Sequence, residues 1–149
     1  MFKNICCLLL FSLALVALDN PTLRAARAAP AMTFTVNSNT DAPDADPGNS
    51  VCETAAGNNV CTLRAAIQEA NACVASCNST INFGLPGNVT YLLSLGELLI
   101  TNTLTLGGNG AANTIIDGNG SVKNQRVLNV GVDAVVKLTP HHSAWPHFR

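Results

Sequence analysis

Three aspartates and an asparagine fall within one short polar loop, residues 41–49, which reads Asp-Ala-Pro-Asp-Ala-Asp-Pro-Gly-Asn. Calcium binds carboxylate oxygens on bendable loops, so Asp41, Asp44 and Asp46 are candidate calcium ligands. The loop lacks the spacing and the distal glutamate of an EF-hand loop. A solvated turn is the alternative for the same residues. A small disulfide-bonded calcium-binding module is therefore one of the functions that the sequence allows.

Two further carboxylates could take part in cleaving a glycosidic bond, a reaction that usually needs a pair of acidic groups. Asp117 lies in a glycine-rich turn, and Asp133 lies between two strand-like runs. No acidic or basic cluster accompanies them, and aspartate at such turns usually accepts hydrogen bonds from backbone amides. The sequence also contains no nucleophile–histidine–acid constellation and no phosphate loop. We predict no catalytic residue and no enzyme, with a fragment of a polysaccharide lyase or hydrolase as the alternative.

The chain has six cysteines. Two of them lie in the N-terminal apolar run, and the others are candidate disulfide partners: Cys52, Cys61, Cys73 and Cys77. An even number of cysteines in an exported chain favours disulfides. Three pairings are possible, and we favour the local one, Cys52 with Cys61 and Cys73 with Cys77, because each pair brackets a short loop that costs little entropy to close. The first pair is too widely spaced for a zinc knuckle, so we predict no metal or other cofactor beyond the calcium alternative.

The N-terminus has the pattern of a secretory signal. Lys3 precedes the apolar run Ile5–Leu18, which is too short to span a bilayer comfortably, and small-residue cleavage sites follow at 26–28 and 29–31. We predict that residues 1–31 are a signal peptide, or otherwise a retained anchor. The protein is then secreted or at the cell surface, and has no membrane contact once the signal is removed.

The composition limits the partners. Only 11% of residues are charged, and the formal net charge is -1. No polybasic stripe is present, so nucleic acid is not a predicted partner. Abundant threonine, asparagine and glycine favour a β-rich extracellular protein.

A helix must follow the aspartate loop, because four apolar residues there share one helical face: Leu63, Ala66, Ile67 and Ala70. Thr62 is the predicted N-cap. Ala65 stands where a capping box would have an acidic residue. The polar side chains of this helix should face solvent or hydrogen-bond the loop backbone.

Short strand-like runs occupy the rest of the chain and recur at nearly one period. Ile81, Leu104 and Leu128 are 23 and then 24 residues apart, and a second series, Leu93, Ile115 and Leu138, has offsets of 22 and 23. Two interleaved series at one period predict a solenoid. An antiparallel sandwich is the alternative.

Residues 61–71, Cys-Thr-Leu-Arg-Ala-Ala-Ile-Gln-Glu-Ala-Asn, resemble the CSLREA-type segment near the N-termini of secreted bacterial right-handed parallel β-helix proteins. The resemblance extends over about residues 32–138 and includes residues 34–38, 81–87 and 114–120. It implies an all-β fold, namely the N-terminal part of a right-handed parallel β-helix with a short capping α-helix.

The resemblance also implies a function and a division of the chain. Residues 32–77 would be the N-terminal strand, loop and capping helix, and residues 78–139 the first coils of the β-helix. This part would be the non-catalytic exported cap of a surface or secreted, adhesin-like protein, whose partners are glycans or surface proteins. The helix would cover one end of the coils. The open end would expose strand edges, through which copies could self-associate.

The last residues, 140–149, differ in character from the rest. They hold all three histidines, the single tryptophan and two prolines. Because similar proteins would continue into further threonine- and glycine-rich coils, we interpret this stretch as an atypical tail from a truncated or frameshifted reading frame. A genuine terminal tail is the first alternative. A histidine metal site is the last, because the two prolines give the histidines no regular face.

Overall fold

A computed structural model describes residues 31–73, 77–120, 126–140 and 147–148 of the chain. The predicted signal peptide lies outside the described residues except for residue 31, and so does most of the predicted C-terminal tail. In chain order, the elements are β1 (Thr33–Val36), α1 (Leu63–Ala72), β2 (Ser79–Phe83), β3 (Val89–Leu92), β4 (Leu98–Ile100), β5 (Leu104–Gly108), β6 (Thr114–Asp117), β7 (Leu128–Val130), β8 (Val136–Pro140) and β9 (His147–Phe148). No helix within the described ranges is long and apolar enough to cross a membrane.

The described strands form three small sheets. The first has the order β1-β2-β5-β8, the second β3-β6-β9, and the third consists of β4 and β7. Every strand pair among the described residues is parallel. The antiparallel sandwich is therefore not the fold of this part of the chain.

The predicted all-β right-handed parallel β-helix is also wrong. The described fold consists of short parallel strands in small sheets together with a ten-residue helix. One face of that helix belongs to the same apolar core as the strands, and it contacts β1, β2 and β4. The class is therefore not all-β, because a helix supplies part of the interior.

Residues that are paired in neighbouring strands are not separated by the single sequence period that supported the solenoid prediction. Leu104 pairs with Ser79, 25 residues earlier, and with Val136, 32 residues later. Leu128 pairs with Leu98, not with Leu104. Several strands alternate apolar and polar residues, so their sequences can be aligned at a regular spacing that does not match the hydrogen-bonded register.

The core is built from the inward side chains of the strands and the apolar face of α1. Alternate residues along the first sheet are buried, including Phe34, Ile81 and Leu106, which are neighbours in register. Ile67 of α1 is buried in the same cluster. Burial of such an aliphatic side chain contributes about 1.5–3 kcal/mol. The helix is therefore held against the strands mainly by its apolar face, which leaves its polar side chains to the loop.

Candidate functional site: the helix and the loop it holds

The long connection between β1 and α1 is held by the polar side chains of the helix, beginning with Thr62. This residue is the N-cap of α1, and its Oγ1 accepts a hydrogen bond from the Ala65 amide at 3.1 Å. The same hydroxyl donates to the Ala42 carbonyl at 2.6 Å. Thr62 therefore satisfies a free amide of the first helical turn and fixes the start of the loop.

Glu69 is the most deeply placed ionisable group of this region, with a relative exposure of 0%. Its two carboxylate oxygens accept hydrogen bonds from the amides of Gly48 and Ser50, both at 2.8 Å. Gly48 and Ser50 have φ angles of 107° and 68°. This left-handed backbone turns the loop back over the helix. Burial raises the pKa of Glu69, the two amides oppose that rise, and the nearby Asp44 carboxylate adds to it.

Asp44 and Gln68 form the next connection between loop and helix. The Gln68 Oε1 accepts from the Asp44 amide at 2.7 Å. The buried Asp44 carboxylate in turn accepts from the amides of Asp46 and Glu53, at 2.9 and 3.1 Å. Asp44 therefore organises the loop around itself as a local hydrogen-bond acceptor.

Arg64 links the loop to the segment before β4. Its guanidinium pairs with Asp41 through two hydrogen bonds of 2.6 and 3.0 Å. It also donates to the carbonyls of Gly96 and Glu97 at 2.6 and 3.3 Å. The second Asp41 oxygen accepts from the Leu95 amide at 2.7 Å. This largely buried pair has partners for both of its charges, the arrangement that a buried ion pair requires.

Two asparagines that the sequence analysis did not single out join the helix end to β4. Asn71 Nδ2 donates to the Leu99 carbonyl at 2.8 Å, and its Oδ1 accepts from the Thr101 amide at 2.9 Å. Asn102 Nδ2 donates to the Ala70, Asn71 and Cys73 carbonyls, at 2.8 to 3.2 Å. These carbonyls at the C-terminal end of α1 lack partners within the helix. The position of Asn71 beside the predicted helix end was the signal that could have identified it.

Two disulfides border the helix. Cys52 is bonded to Cys61, with a Cα–Cα distance of 5.1 Å, and Cys73 to Cys77, with a Cα–Cα distance of 6.0 Å. These pairs fit the predicted disulfides and the preferred local pairing. Disulfides are typical of oxidising, extracellular environments.

The candidate calcium ligands do not converge on an open site. The oxygens of Asp41 and Asp44 accept hydrogen bonds within the loop and helix, and Asp46 is exposed. Among the residues that the structure describes, no group of three or more histidine, cysteine or acidic side chains could hold a metal ion.

The carboxylates considered for glycosidic cleavage also take part in local structure. Asp117 Oδ1 accepts from the Asn119 amide at 2.9 Å, and Asp133 lies in a turn with a φ of 65°. Glu97, the third carboxylate of residues 78–139, accepts hydrogen bonds from Asn129 and Arg126 at 2.8 to 3.4 Å. The Asn129 hydrogen bond and then Arg126 lower the pKa of Glu97, so this carboxylate is suited to remain ionised rather than to donate a proton.

A surface depression of about 180 Å³ lies between α1 and β4. Its walls are formed by Arg64, Ile67, Gln68, Asn71, Glu97, Leu98 and Leu99. Arg64, Asn71 and Glu97 direct their polar atoms at protein partners, as described above. The depression is therefore a seam between helix and strand, with most of its hydrogen-bonding capacity already used.

Comparisons of the chain with protein-family models, with curated proteins and with solved structures find no match. The resemblance to CSLREA-type segments stays a prediction, and so do the capping role of α1 and the division of the chain into segments.

Proposed function

We propose that the chain is a non-catalytic, structural part of a secreted or cell-surface protein and that its first sheet offers an adhesive outer face. The observation that carries the structural role is how the polar side chains of α1 and its loop are used. Glu69, Gln68, Arg64 and Thr62 all bond backbone groups of neighbouring segments. A site that binds or transforms a small substrate needs such groups to converge on open space.

The adhesive role is supported by the outward side chains of the first sheet. Thr33, Thr80 and Thr105 follow one another in register across β1, β2 and β5, and Thr35 lies beside Asn82 in a parallel row. Neighbouring strands are about 4.8 Å apart, so these groups repeat regularly along the face. Across β1, β2 and β5 these groups are neutral hydroxyls and amides, which suit a neutral glycan better than a charged ligand. Lys137 of β8 ends the row. Glycans of a cell surface are therefore the proposed partners.

Binding to an array of neutral glycans tests the adhesive role. We expect Thr35→Val together with Thr105→Val to weaken binding, because each valine keeps the shape of threonine and removes its hydroxyl. Thr90→Val is the matched control, since Thr90 is an exposed threonine in the second sheet. Equal loss in the control, or no glycan bound by the wild type, would refute the adhesive face.

A panel of polysaccharides, assayed for reducing ends and unsaturated products, tests the absence of catalysis. We expect no turnover, because two positioned acid–base groups about 5–10 Å apart are needed for most glycosidic cleavage. Turnover that Asp117→Asn or Asp133→Asn abolishes would establish the enzyme alternative. A calcium-dependent rise in the melting temperature, removed by Asp41→Asn, would establish the calcium module instead.

A further inference from the structure

Two parallel rows of outward side chains cross the first sheet, each with one residue from β1, β2, β5 and β8. The first row consists of Thr33, Thr80, Thr105 and Lys137, and the second of Thr35, Asn82, Gly107 and Thr139. Neighbouring strands are about 4.8 Å apart, so the three spacings of a row make it about 14 Å long. A ligand that follows a row must therefore be an extended molecule, and it meets a neutral surface except at Lys137.

Lys137 gives this face its single charge. Its side chain is exposed, and no ion pair within the described ranges involves it. The residue beside it in register is Thr105, which is neutral. A lysine ammonium donates up to three hydrogen bonds and accepts none, so its natural ligand is an anionic oxygen. The face is therefore suited to a molecule that is neutral over most of its length and carries one negative charge at one end.

A glycine lowers the face close to Lys137. A methyl group added at Gly107 would lie 2.7 Å from Asn82 Oδ1 and 3.7 Å from Thr139 Oγ1. The missing side chain therefore leaves a recess on which an amide and a hydroxyl converge. The Thr139 hydroxyl donates to the Leu106 carbonyl at 3.4 Å, so its oxygen is left to accept from a ligand. The Asn82 amide offers both donors and an acceptor.

Lys137 lies diagonally across from this recess, because its partner in register, Thr105, is two residues before Gly107 on β5. Diagonal positions on a sheet are about 8 Å apart, which a long side chain can span. The ammonium can therefore reach a ligand that rests in the recess. A small free carboxylate would use only the ammonium, and a glycan with an acid on every unit would meet only one cation. The neutral rows and the single charge together fit a neutral glycan with one acidic sugar.

We propose that the Gly107 recess, formed by Gly107, Asn82, Thr139 and Lys137, binds a uronic acid unit at the end of an otherwise neutral glycan. This inference rests on the proposed glycan-binding function and names its ligand more closely. The carboxylate of the sugar accepts from the Lys137 ammonium, and hydroxyls of the same sugar bond with Asn82 and Thr139. The neutral units lie along the threonines of β1, β2 and β5. The charge at one end therefore fixes the direction in which the glycan binds.

Titration calorimetry of the full, disulfide-bonded chain tests this proposal. The probes are neutral oligosaccharides of glucose, galactose or mannose units, each in two forms: one ends in the corresponding uronic acid, and in the other that carboxylate is reduced to a hydroxymethyl group. We expect the wild type to bind the acidic form about three- to fivefold more tightly, the strength of an exposed ion pair. Lys137→Gln should remove this preference. Arg126→Gln is the matched control, because it removes an exposed positive charge outside the first sheet, and it should keep the preference.

Gly107→Ala tests the recess itself. The added methyl group displaces only the end of the flexible Asn82 side chain, so the chain should fold while both forms bind about fivefold more weakly. If circular dichroism shows that this variant does not fold, Lys137→Gln decides alone, since Lys137 is exposed.

The outcomes separate this inference from the proposed function. Equal affinity of the wild type for the two forms would overturn the acidic sugar and leave neutral glycan binding in place, whereas binding of neither form would refute the glycan-binding function as well. A preference lost equally in Arg126→Gln would assign it to overall charge and overturn the role of Lys137. Unchanged binding by a folded Gly107→Ala variant would reject the recess.

Discussion

Replacing Glu69 by alanine should be among the most damaging single changes to a polar residue of this chain. Its carboxylate is buried and accepts the amides of both Gly48 and Ser50. Alanine removes both acceptors at once and leaves two inward-facing amides without partners. The loop should then lose its attachment to α1 at the turn that these two residues form.

The size of the expected loss in the free energy of unfolding follows from the two lost hydrogen bonds. A buried donor left without an acceptor costs about 1–3 kcal/mol, so the upper range for two amides is about 2–6 kcal/mol. Gly48 and Ser50 belong to an exposed turn, so water can reach part of the space that the side chain leaves. We therefore expect a loss in the free energy of unfolding of about 2–3 kcal/mol, near the lower end of that range.

Urea denaturation of the oxidised chain measures this loss. With an m-value of about 1–3 kcal/mol per molar urea, the midpoint should fall by roughly 0.7–3 M. Glu53→Ala is the matched control, because among the described residues Glu53 accepts a single amide, that of Gly57, in an exposed turn. It should shift the midpoint much less. Equal midpoints for the two variants would refute the reasoning that Glu69 holds the loop.

The pH dependence of stability provides a second measurement on Glu69. Burial raises the pKa of Glu69 in the folded chain above its value in the unfolded chain. The folded state then binds more protons between the two pKa values, so stability falls as the pH rises through the folded pKa. Relative to Glu69→Gln, which does not titrate, the wild type should lose stability as the pH increases across that window. The opposite slope would mean that the two amides outweigh burial.

The remaining predictions concern the core and the disulfides. Ile67→Asp should lower the free energy of unfolding by several kcal/mol, since it buries an unpaired carboxylate. Gln68→Asp loses one hydrogen bond to the loop and should lower it by about 1 kcal/mol. Equal midpoints of the two variants in chemical denaturation would contradict the packing of α1. Burial raises the pKa of Tyr91, the only tyrosine, to about 12, so phenolate absorbance should appear at a pH well above the ordinary tyrosine pKa. Stability should fall as the pH rises above the pKa of this phenol in the unfolded chain. Titration at the ordinary pKa would show that the ring is exposed. Removing the Cys52–Cys61 disulfide should lower stability by about 2.5 kcal/mol, because the unfolded chain gains entropy when a loop with a sequence separation of 9 is opened. Non-reducing peptide mapping that finds either cysteine bonded to another partner would contradict the pairing.

The local features of the helix could be read from the sequence because they depend on near neighbours. The apolar face of α1 follows from helical spacing, and Thr62 occupies the N-cap because its short hydroxyl reaches the free amides of the first turn. The local disulfide pairs follow for a similar reason, since short loops bring their ends together at little entropic cost. For Glu69 and Gln68 the sequence allowed either exposure to solvent or hydrogen bonds to the loop backbone, and it named no partner.

The strand pairing was decided by tertiary structure. Strands β1 to β6 bury alternate residues, so the burial of Leu104 can be satisfied beside several different strands. The actual partners depend on the unequal lengths of the connections and on the packing of α1 against β1, β2 and β4. The pairing of Arg64 with Asp41 and the strand-like contacts of Asn71 likewise join residues more than twenty positions apart. Local sequence encodes which residues can be buried or can cap a helix, whereas long-range partners follow only once the whole chain has packed around one core.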